Sequence, residues 1–153
     1  DGGATFSGGE CMIQIDFLFW LLKCCRDHSV NTAVDTAGNV PFEYFERIDA
    51  YTDIYLYDVK CVTPELHKYH TGVSNEKILS NLARLDPNKV IVRIPVIESF
   101  NSSEAEMTKI HALLNNLNIT AIEELSYHKF GEPKLTAIKE HIKSRYMYNG
   151  TKE

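Results

Sequence analysis

The sequence predicts an α/β fold built on one sheet of parallel strands. Short segments rich in β-branched and aromatic residues alternate with segments of helical periodicity along the whole chain. Most of the strand candidates are almost continuously hydrophobic, which is typical of strands buried on both faces. Alternating strands and helices form βαβ units, and no low-complexity linker interrupts residues 1–153, so we expect a single domain.

Five strands and five helices are predicted from this pattern. The strand candidates are residues 4–6, 32–35, 54–58, 89–97 and 121–125, and the helix candidates are residues 12–28, 42–49, 76–86, 102–116 and 133–146. The first helix is expected to bury the side chains that recur at helical spacing, namely Phe17, Trp20, Leu21 and Cys24. Ser102 or Ser103 is expected to cap the fourth helix, with Glu106 completing a capping box.

Charge and hydropathy exclude two classes of partner. The chain has 21 acidic and 16 basic residues and a formal charge of −5, which argues against nucleic acid, because nucleic-acid binding draws on basic patches. The longest apolar run, residues 17–22, is far shorter than the roughly 20 residues of a membrane span. We therefore expect neither a nucleic-acid nor a membrane partner.

The four cysteines, at positions 11, 24, 25 and 61, indicate a reducing compartment. Cys24 and Cys25 fall in a helix-like stretch, which suits core thiols better than a disulfide framework and favours the cytoplasm. No CxxC or CxxxCxxC spacing occurs, so the cysteines alone predict no zinc or iron–sulfur site. The chain begins at Asp1 without a methionine, and we interpret it as a fragment cut from a longer protein.

Polar groups follow each predicted strand. Parallel βα units place their chemistry at the carboxyl ends of the strands, in open sheets and in barrels alike. The residues concerned, in strand order, are Ser7 to Glu10, then Asp35, Thr36 and Gly38, then Asp58 and Lys60, then Arg93, which lies within the fourth strand, and finally Tyr127 and His128. The sequence therefore predicts one shared rim that carries a binding site.

Gly8, Gly9 and Glu10 form the first candidate feature of this rim. Two glycines let the backbone approach a ligand closely, and the neighbouring carboxylate suits an ammonium group. The alternative is a tight βα turn with Glu10 at the start of the next helix, where the helix dipole favours a negative charge.

Asp35 and Asp58 lie at the ends of neighbouring predicted strands, so their carboxylates are expected to converge on one cation with help from the Thr36 hydroxyl. Alternatively, each aspartate caps a following turn. Lys60 is suited to binding a substrate carboxylate or, if desolvated, to forming a Schiff base; the alternative is an ordinary ion pair with Asp58.

Arg93 interrupts an apolar strand, so its guanidinium must be paired with a carboxylate, either from the rim or from a ligand. A purely structural ion pair is the alternative. His128 is suited to contacting a ligand ring or hydroxyl, or else is a satisfied structural histidine.

Six segments together resemble, in order, the motifs of the glycyl-radical-enzyme activating enzymes, the family of pyruvate formate-lyase activating enzyme. They are residues 5–10 (TFSGGE), 33–38 (AVDTAG), 56–60 (LYDVK), 69–75 (YHTGVSN), 92–97 (VRIPVI) and 125–128 (LSYH). The resemblance runs from about residue 2 to about residue 140.

The resemblance implies a radical S-adenosylmethionine enzyme on a partial (β/α) barrel, of which about five strands are present here. Such enzymes use a [4Fe–4S] cluster, reduced by a flavodoxin or ferredoxin-type protein, to cleave S-adenosylmethionine. The resulting 5′-deoxyadenosyl radical abstracts hydrogen from a glycine of a partner such as pyruvate formate-lyase.

The resemblance also implies roles for individual residues. Gly8, Gly9 and Glu10 match the motif that receives the methionyl ammonium of the cofactor, Lys60 the residue that meets its carboxylate, and His128 the one near its nucleoside. Arg93 matches a rim arginine close to the cofactor. The residues that match a monovalent cation site beside the cofactor are Asp35, Thr36, Asp58 and, through its carbonyl, Leu56.

The chain departs from the family pattern at the cluster. In this family a CxxxCxxC loop supplies the iron ligands, and that loop is absent from residues 1–153. We therefore expect the fragment alone to be inactive. A barrel that lacks its first unit leaves a strand edge open, which predicts pairing with a second copy as a dimer. Residues 68–75 are expected to touch the glycyl-radical partner.

Two other functions are compatible with the same residues. A barrel lyase or decarboxylase also uses an Asp-x-Lys pair such as Asp58 and Lys60, although the further Asp of that pattern is Thr63 here. A non-enzymatic module that binds a nucleoside or an amino acid is the other alternative.

Overall fold

The computed structural model describes residues 2–126, which contain five β-strands. Their bounds are β1 Gly3–Phe6, β2 Asn31–Thr36, β3 Ile54–Asp58, β4 Val90–Val96 and β5 Ile122–Ser126. All five agree with the predicted strands to within a few residues. The fifth predicted helix, residues 133–146, lies outside the described residues.

The strands form one parallel sheet in the order β1-β2-β3-β4-β5. Each strand therefore pairs with the next one along the chain. This is the order of a βα barrel, whereas the strand order of a doubly wound sheet reverses at a switch point. The predicted α/β class with five parallel strands is confirmed.

Burial differs between the middle and the edges of the sheet. Along β2, β3 and β4, fully buried residues alternate with partly buried ones, so one face packs in the core and the other is partly accessible. Strands β1 and β5 have no fully buried residue. The expectation that most strands are buried on both faces is met on one face of the middle strands and is wrong for β1 and β5, each of which pairs with a single neighbour among the described residues.

Within the described part of the chain, five α-helices lie between consecutive strands. Their bounds are α1 Ile15–Asp27, α2 Phe42–Ile48, α3 Pro64–Thr71, α4 Glu76–Leu82 and α5 Glu104–Asn116. The sequence did not predict α3, whose signals are Pro64 in the first turn and Gly72 at a left-handed C-cap. A 3-10 turn, Cys11–Gln14, precedes α1.

The buried face of α1 is not the predicted one. Phe17 and Trp20 are 62% and 63% exposed, and Cys24 is exposed as well. The side chains that α1 and the turn before it bury are instead Met12, Ile15, Leu18 and Leu22. Both sets recur at helical spacing. The periodicity therefore predicted the helix but not which of its two apolar stripes faces the sheet.

The core lies between the sheet and the helices. Its largest fully buried side chains include Phe45 of α2 and Tyr55 and Tyr57 of β3. Phe45 lies against both tyrosines, with ring centroids 5.5 and 6.2 Å apart. Across residues 2–126, no helix has the length and apolar character needed to cross a membrane.

Candidate functional site

Four of the predicted site residues share one face of the sheet. Asp35 of β2 is in register with Leu56 of β3, and Asp58 of β3 is in register with Arg93 of β4. Side chains two residues apart on a strand point the same way, so Leu56 and Asp58 lie on the same face. Consequently the strand ends bring two carboxylates and one guanidinium together on the face away from the tyrosine core.

The guanidinium of Arg93 links the two carboxylates. Its Nη2 donates to Oδ1 of Asp35 and, at 3.0 Å, to Oδ1 of Asp58. Ser7 Oγ donates to the other oxygen of Asp35 at 2.9 Å, and Lys60 Nζ donates to the other oxygen of Asp58 at 3.4 Å. We call these five residues, Ser7, Asp35, Asp58, Lys60 and Arg93, the rim cluster. Of the two partners expected for Arg93, a rim carboxylate or a ligand carboxylate, the structure shows the rim carboxylates.

The rim cluster is partly screened from solvent. The side chains of Arg93, Asp35 and Asp58 are 19%, 23% and 26% exposed. At this exposure the charges interact more strongly than surface pairs do and still remain open to a ligand. The arrangement can therefore bind a small molecule that carries both positive and negative groups.

Glu10 braces two loops next to the cluster. Its carboxylate caps the 3-10 turn by accepting from the Met12 amide at 3.2 Å, and it also accepts from the Thr36 hydroxyl at 2.9 Å and the Ala37 amide at 3.0 Å. These bonds correspond to the alternative in which Glu10 starts the next helix. The Thr36 hydroxyl lies 2.9 Å from both carboxylate oxygens, so each oxygen of Glu10 already has two donors nearby.

The loop glycines differ in what their backbone requires. Gly8 has a φ of 141° and Gly38 a φ of 71°, both in the region that favours glycine. A Cβ at Gly38 would also lie 1.8 Å from the Tyr57 hydroxyl, whereas one at Gly8 or Gly9 would meet nothing within 4 Å. Gly8 and Gly9 therefore leave open space beside the rim, whereas Gly38 is needed because the Tyr57 side chain leaves no room for a Cβ.

Three buried side chains that the sequence did not assign to the site hold the loop that carries Lys60. Asn101 donates to the Lys60 carbonyl at 2.6 Å, and Asn75 donates to the carbonyls of Cys61 and Val62 at 3.0 and 2.9 Å. Glu106 accepts from the amides of Val62 and Thr63 and from the Thr63 hydroxyl, at 2.6 to 2.9 Å. We call Asn75, Asn101 and Glu106 the loop clamp.

Two features of the sequence point toward the loop clamp without identifying it. Ser103 caps α5, as predicted, by accepting from the Glu106 amide at 3.3 Å. The carboxylate of Glu106 does not return to the Ser103 backbone as a capping box requires, because it binds the Lys60 loop. Asn75 ends the YHTGVSN motif, yet only the structure shows that its amide is buried against that loop.

Cys11 follows Glu10 directly, but its surroundings keep the thiol neutral. Burial, together with the neighbouring carboxylates of Glu10 and Asp35, raises the pKa of Cys11 to about 11. Its sulfur donates weakly to the carbonyls of Phe6 and Asp35, at 3.5 and 3.4 Å. Cys11 is therefore part of the packing beneath the rim rather than a reactive thiolate.

The structure brings most of the predicted site together. Asp35, Asp58, Lys60 and Arg93 contact one another, and Glu10 joins them through Thr36, which follows Asp35 in the chain. His128 and Tyr127 lie outside the described residues.

Two curated activating enzymes are similar in sequence to this chain. It is 39% identical over 142 residues to the 4-hydroxyphenylacetate decarboxylase activating enzyme of Clostridioides difficile. It is 38% identical over 145 residues to the (2S)-3-sulfopropanediol dehydratase activating enzyme of Klebsiella oxytoca. Each match covers 90% of this chain and 45% of the relative. No family model matches the chain.

A solved structure decides the family. A domain of pyruvate-formate lyase-activating enzyme from Bacteroides vulgatus superposes with a TM-score of 0.76 and 31% sequence identity. The match covers 84% of this chain and 82% of that domain. The chain belongs to the glycyl-radical-enzyme activating enzymes. The resemblance of the six motifs is thus confirmed at the level of the family.

The chain spans less than half the length of the curated activating enzymes that it matches. These two activating enzymes serve a decarboxylase and a dehydratase, and the chain is almost equally similar to both. Membership of the family therefore does not select one partner enzyme.

Proposed function

We propose that this chain forms the S-adenosylmethionine-binding part of an activase that installs a glycyl radical on a partner enzyme such as one of the pyruvate formate-lyase type. The observation that carries the proposal is the convergence of the rim cluster at the strand ends of a chain that belongs to this family. In the whole activase, the cofactor and a [4Fe–4S] cluster would supply the 5′-deoxyadenosyl radical. We propose that residues 1–153 alone are inactive, since no CxxxCxxC motif occurs among them.

The proposal assigns a place beside the cofactor to the residues that match the family motifs. Lys60 binds the methionyl carboxylate, as a mobile ammonium at the open end of the cluster. The carboxylate of Glu10 and the exposed backbone of Gly8 and Gly9 receive the methionyl ammonium. Arg93 lies close to the cofactor, and His128, outside the described residues, is assigned to the nucleoside.

A monovalent cation beside the cofactor fits the carboxylate pair. The Oδ1 atoms of Asp35 and Asp58 converge on one nitrogen, so they are placed to bind a single positive charge. The Thr36 hydroxyl donates to Glu10 and accepts from the Gly38 amide at 2.9 Å, which leaves one lone pair for a cation. We propose that these groups, with the Leu56 carbonyl, hold the ion when the cofactor is bound.

The proposal also includes a reductant, a second copy of the chain and a cellular compartment. A flavodoxin or ferredoxin-type protein would reduce the cluster in the whole activase, and a second copy of this chain is proposed to pair with the open edge of β1. We place the protein in the cytoplasm, because the four cysteines are free thiols.

Cofactor binding is testable on the 153-residue chain by a ¹H–¹⁵N NMR titration with S-adenosylmethionine. We expect the amides of Gly8, Gly9 and Lys60 to shift. Replacing Asp35 or Asp58 by Ala should weaken binding about tenfold or more, which corresponds to about 1.4 kcal/mol.

Asp53→Ala is the matched control, because Asp53 is a carboxylate at the amino end of the same sheet, where it accepts from the Thr32 amide at 2.8 Å. This variant should bind the cofactor as the parent does. Unchanged affinity in both the Asp35 and the Asp58 variants would contradict the proposal, and so would shifts confined to the amino ends of the strands.

A further inference from the structure

The positive charge between Asp35 and Asp58 belongs to the protein itself. Of the four carboxylate oxygens, the two outer Oδ2 atoms accept from Ser7 and Lys60. The two inner Oδ1 atoms both accept from Nη2 of Arg93. One guanidinium nitrogen therefore occupies the position to which the paired carboxylates would direct a metal ion.

The guanidinium and an added cation cannot share this position. An arginine side chain does not lose its proton in a protein, so Arg93 remains positive at every accessible pH. A cation between the same two Oδ1 atoms would lie within a few ångströms of that charge, in a setting that is only about one fifth exposed. Repulsion at this distance and burial makes the two occupants mutually exclusive.

Within the described part of the chain, one donor of Arg93 is unsatisfied, and this favours a movement of the side chain when a ligand binds. Its Nε is buried and has no hydrogen-bond partner among residues 2–126. An unpaired buried donor is unfavourable, so the guanidinium does not reach its full complement of bonds while it sits between the carboxylates. A ligand that offers an acceptor near Arg93 would provide the missing bond.

We propose that Arg93 is the intramolecular counter-ion of Asp35 and Asp58 and excludes monovalent cations from between them until a ligand draws the guanidinium away. The inference rests on the proposed function only for the identity of that ligand, S-adenosylmethionine. The exclusion itself follows from the contacts of Arg93 and holds for the chain without any cofactor. Cation binding would thereby be linked to cofactor binding.

Exclusion is testable with thallium(I), a probe of about the size of potassium, followed by ²⁰⁵Tl NMR in chloride-free buffer without cofactor. The parent chain should show no binding that depends on Asp35. Arg93→Met, which keeps the length of the side chain and removes its charge, should bind thallium at least tenfold more tightly. Adding Asp35→Asn to that variant should abolish the gain.

Lys60→Met is the matched control, because it removes a positive charge that, among residues 2–126, contacts the outer oxygen of Asp58 and neither inner oxygen. It should not gain a thallium site. An equal gain in this control would overturn the proposal, since any lost charge would then suffice, and so would an Arg93→Met chain that binds no better than the parent.

The parent chain alone provides a second measurement if Arg93→Met does not fold. The ¹⁵N resonance of Arg93 Nε should stay in place when potassium is added and should move when S-adenosylmethionine is added. Thallium binding to the parent chain that Asp35→Asn removes would overturn the exclusion. If exclusion holds but the cofactor moves nothing, the proposed ligand is wrong and the counter-ion role stands.

Discussion

At the scale of single residues, the site is defined by how few polar groups are left without a partner. Glu10, Asp35 and Asp58 each accept from at least two groups, and the thiol of Cys11 is kept neutral beneath them. Such a network holds the carboxylates in place, because each of them accepts hydrogen bonds from groups on other strands or loops. The Nε of Arg93, which has no partner in the described part of the chain, is the exception, and it marks the side chain that we propose to move.

Gly38 offers a prediction at this scale. Gly38→Ala places a methyl group against the Tyr57 hydroxyl at a backbone φ of 71°, so both a clash and strain oppose folding. We expect a loss of about 2–5 kcal/mol in the free energy of unfolding, measured by urea denaturation. The Tyr57 hydroxyl cannot simply turn aside, because it donates to the Ile78 carbonyl at 2.7 Å.

Gly9→Ala is the control, since a Cβ there meets nothing within 4 Å and no positive φ is required. It should change the free energy of unfolding by less than about 1 kcal/mol. Equal losses in the two variants would show that the rim loops, rather than the Tyr57 contact, limit stability.

The sequence allowed the charged residues of the site to be predicted but not their bonds. Asp35, Asp58 and Arg93 are recognisable because each charge stands at the end of, or within, an apolar strand. Glu10 was equally compatible with ligand binding and with a turn, and its contacts with Thr36 and Ala37 depend on a loop 26 residues away. Contacts of that kind arise only from tertiary packing, which local patterns do not encode.

At the scale of secondary-structure elements, the loop between β3 and α3 is the part that most needs support. Loops that carry binding residues are seldom buried, because their backbone groups lack regular partners. Here the loop clamp supplies those partners from the start of α4, the loop before α5, and α5 itself. Lys60 is therefore presented by a fixed backbone.

The loop clamp gives a second prediction. Burial raises the pKa of Glu106, but hydrogen bonds from the Thr63 hydroxyl and from the Thr63 and Val62 amides outweigh burial, and the pKa lies below its ordinary 4.5. Glu106→Gln removes a charged acceptor and should lower the free energy of unfolding by about 1–3 kcal/mol at pH 7. Urea denaturation of parent and variant measures the difference.

The pH dependence of that difference follows from its sign. Because folding lowers the pKa of Glu106, the stabilisation is present above the ordinary value and is lost as pH falls through the lowered one. The gap between parent and Glu106→Gln should therefore shrink below about pH 4. Glu104→Gln, on an exposed side chain in the same first turn, should show no comparable gap at either pH.

The helices show where periodicity is sufficient and where it is not. The apolar pattern gave α1, α2, α4 and α5, with ends shifted by a few residues. For α1 it could not choose between two apolar stripes, since the choice depends on where β1 and β2 lie. The helix α3 is short and mostly polar, so it carries too weak a pattern and is identified by Pro64 and Gly72 instead.

At the scale of the whole molecule, the sequential strand order follows from repeating one βα unit. The same repetition places the end of every strand at one rim, which is why separate segments of the chain supply one cluster. The order also leaves β1 with β2 as its single partner among residues 2–126. Next to that open edge, Thr5 and Phe6 of β1 share a groove with Phe17 and Leu21 of α1.

The open edge and the groove give the last prediction. Unpaired strand edges recruit other strands, and an exposed aromatic beside such an edge adds apolar area to the contact. The 153-residue chain should therefore self-associate, and its mass in sedimentation equilibrium should rise with concentration above 17.4 kDa. Phe17→Glu should weaken association at least tenfold, because it places a charge in the groove.

Tyr69→Glu is the control for this prediction. It changes an aromatic on α3 that is 84% exposed and should leave association unchanged. A chain that stays monomeric at all concentrations, or one in which both variants weaken association equally, would show that β1 is not the contact.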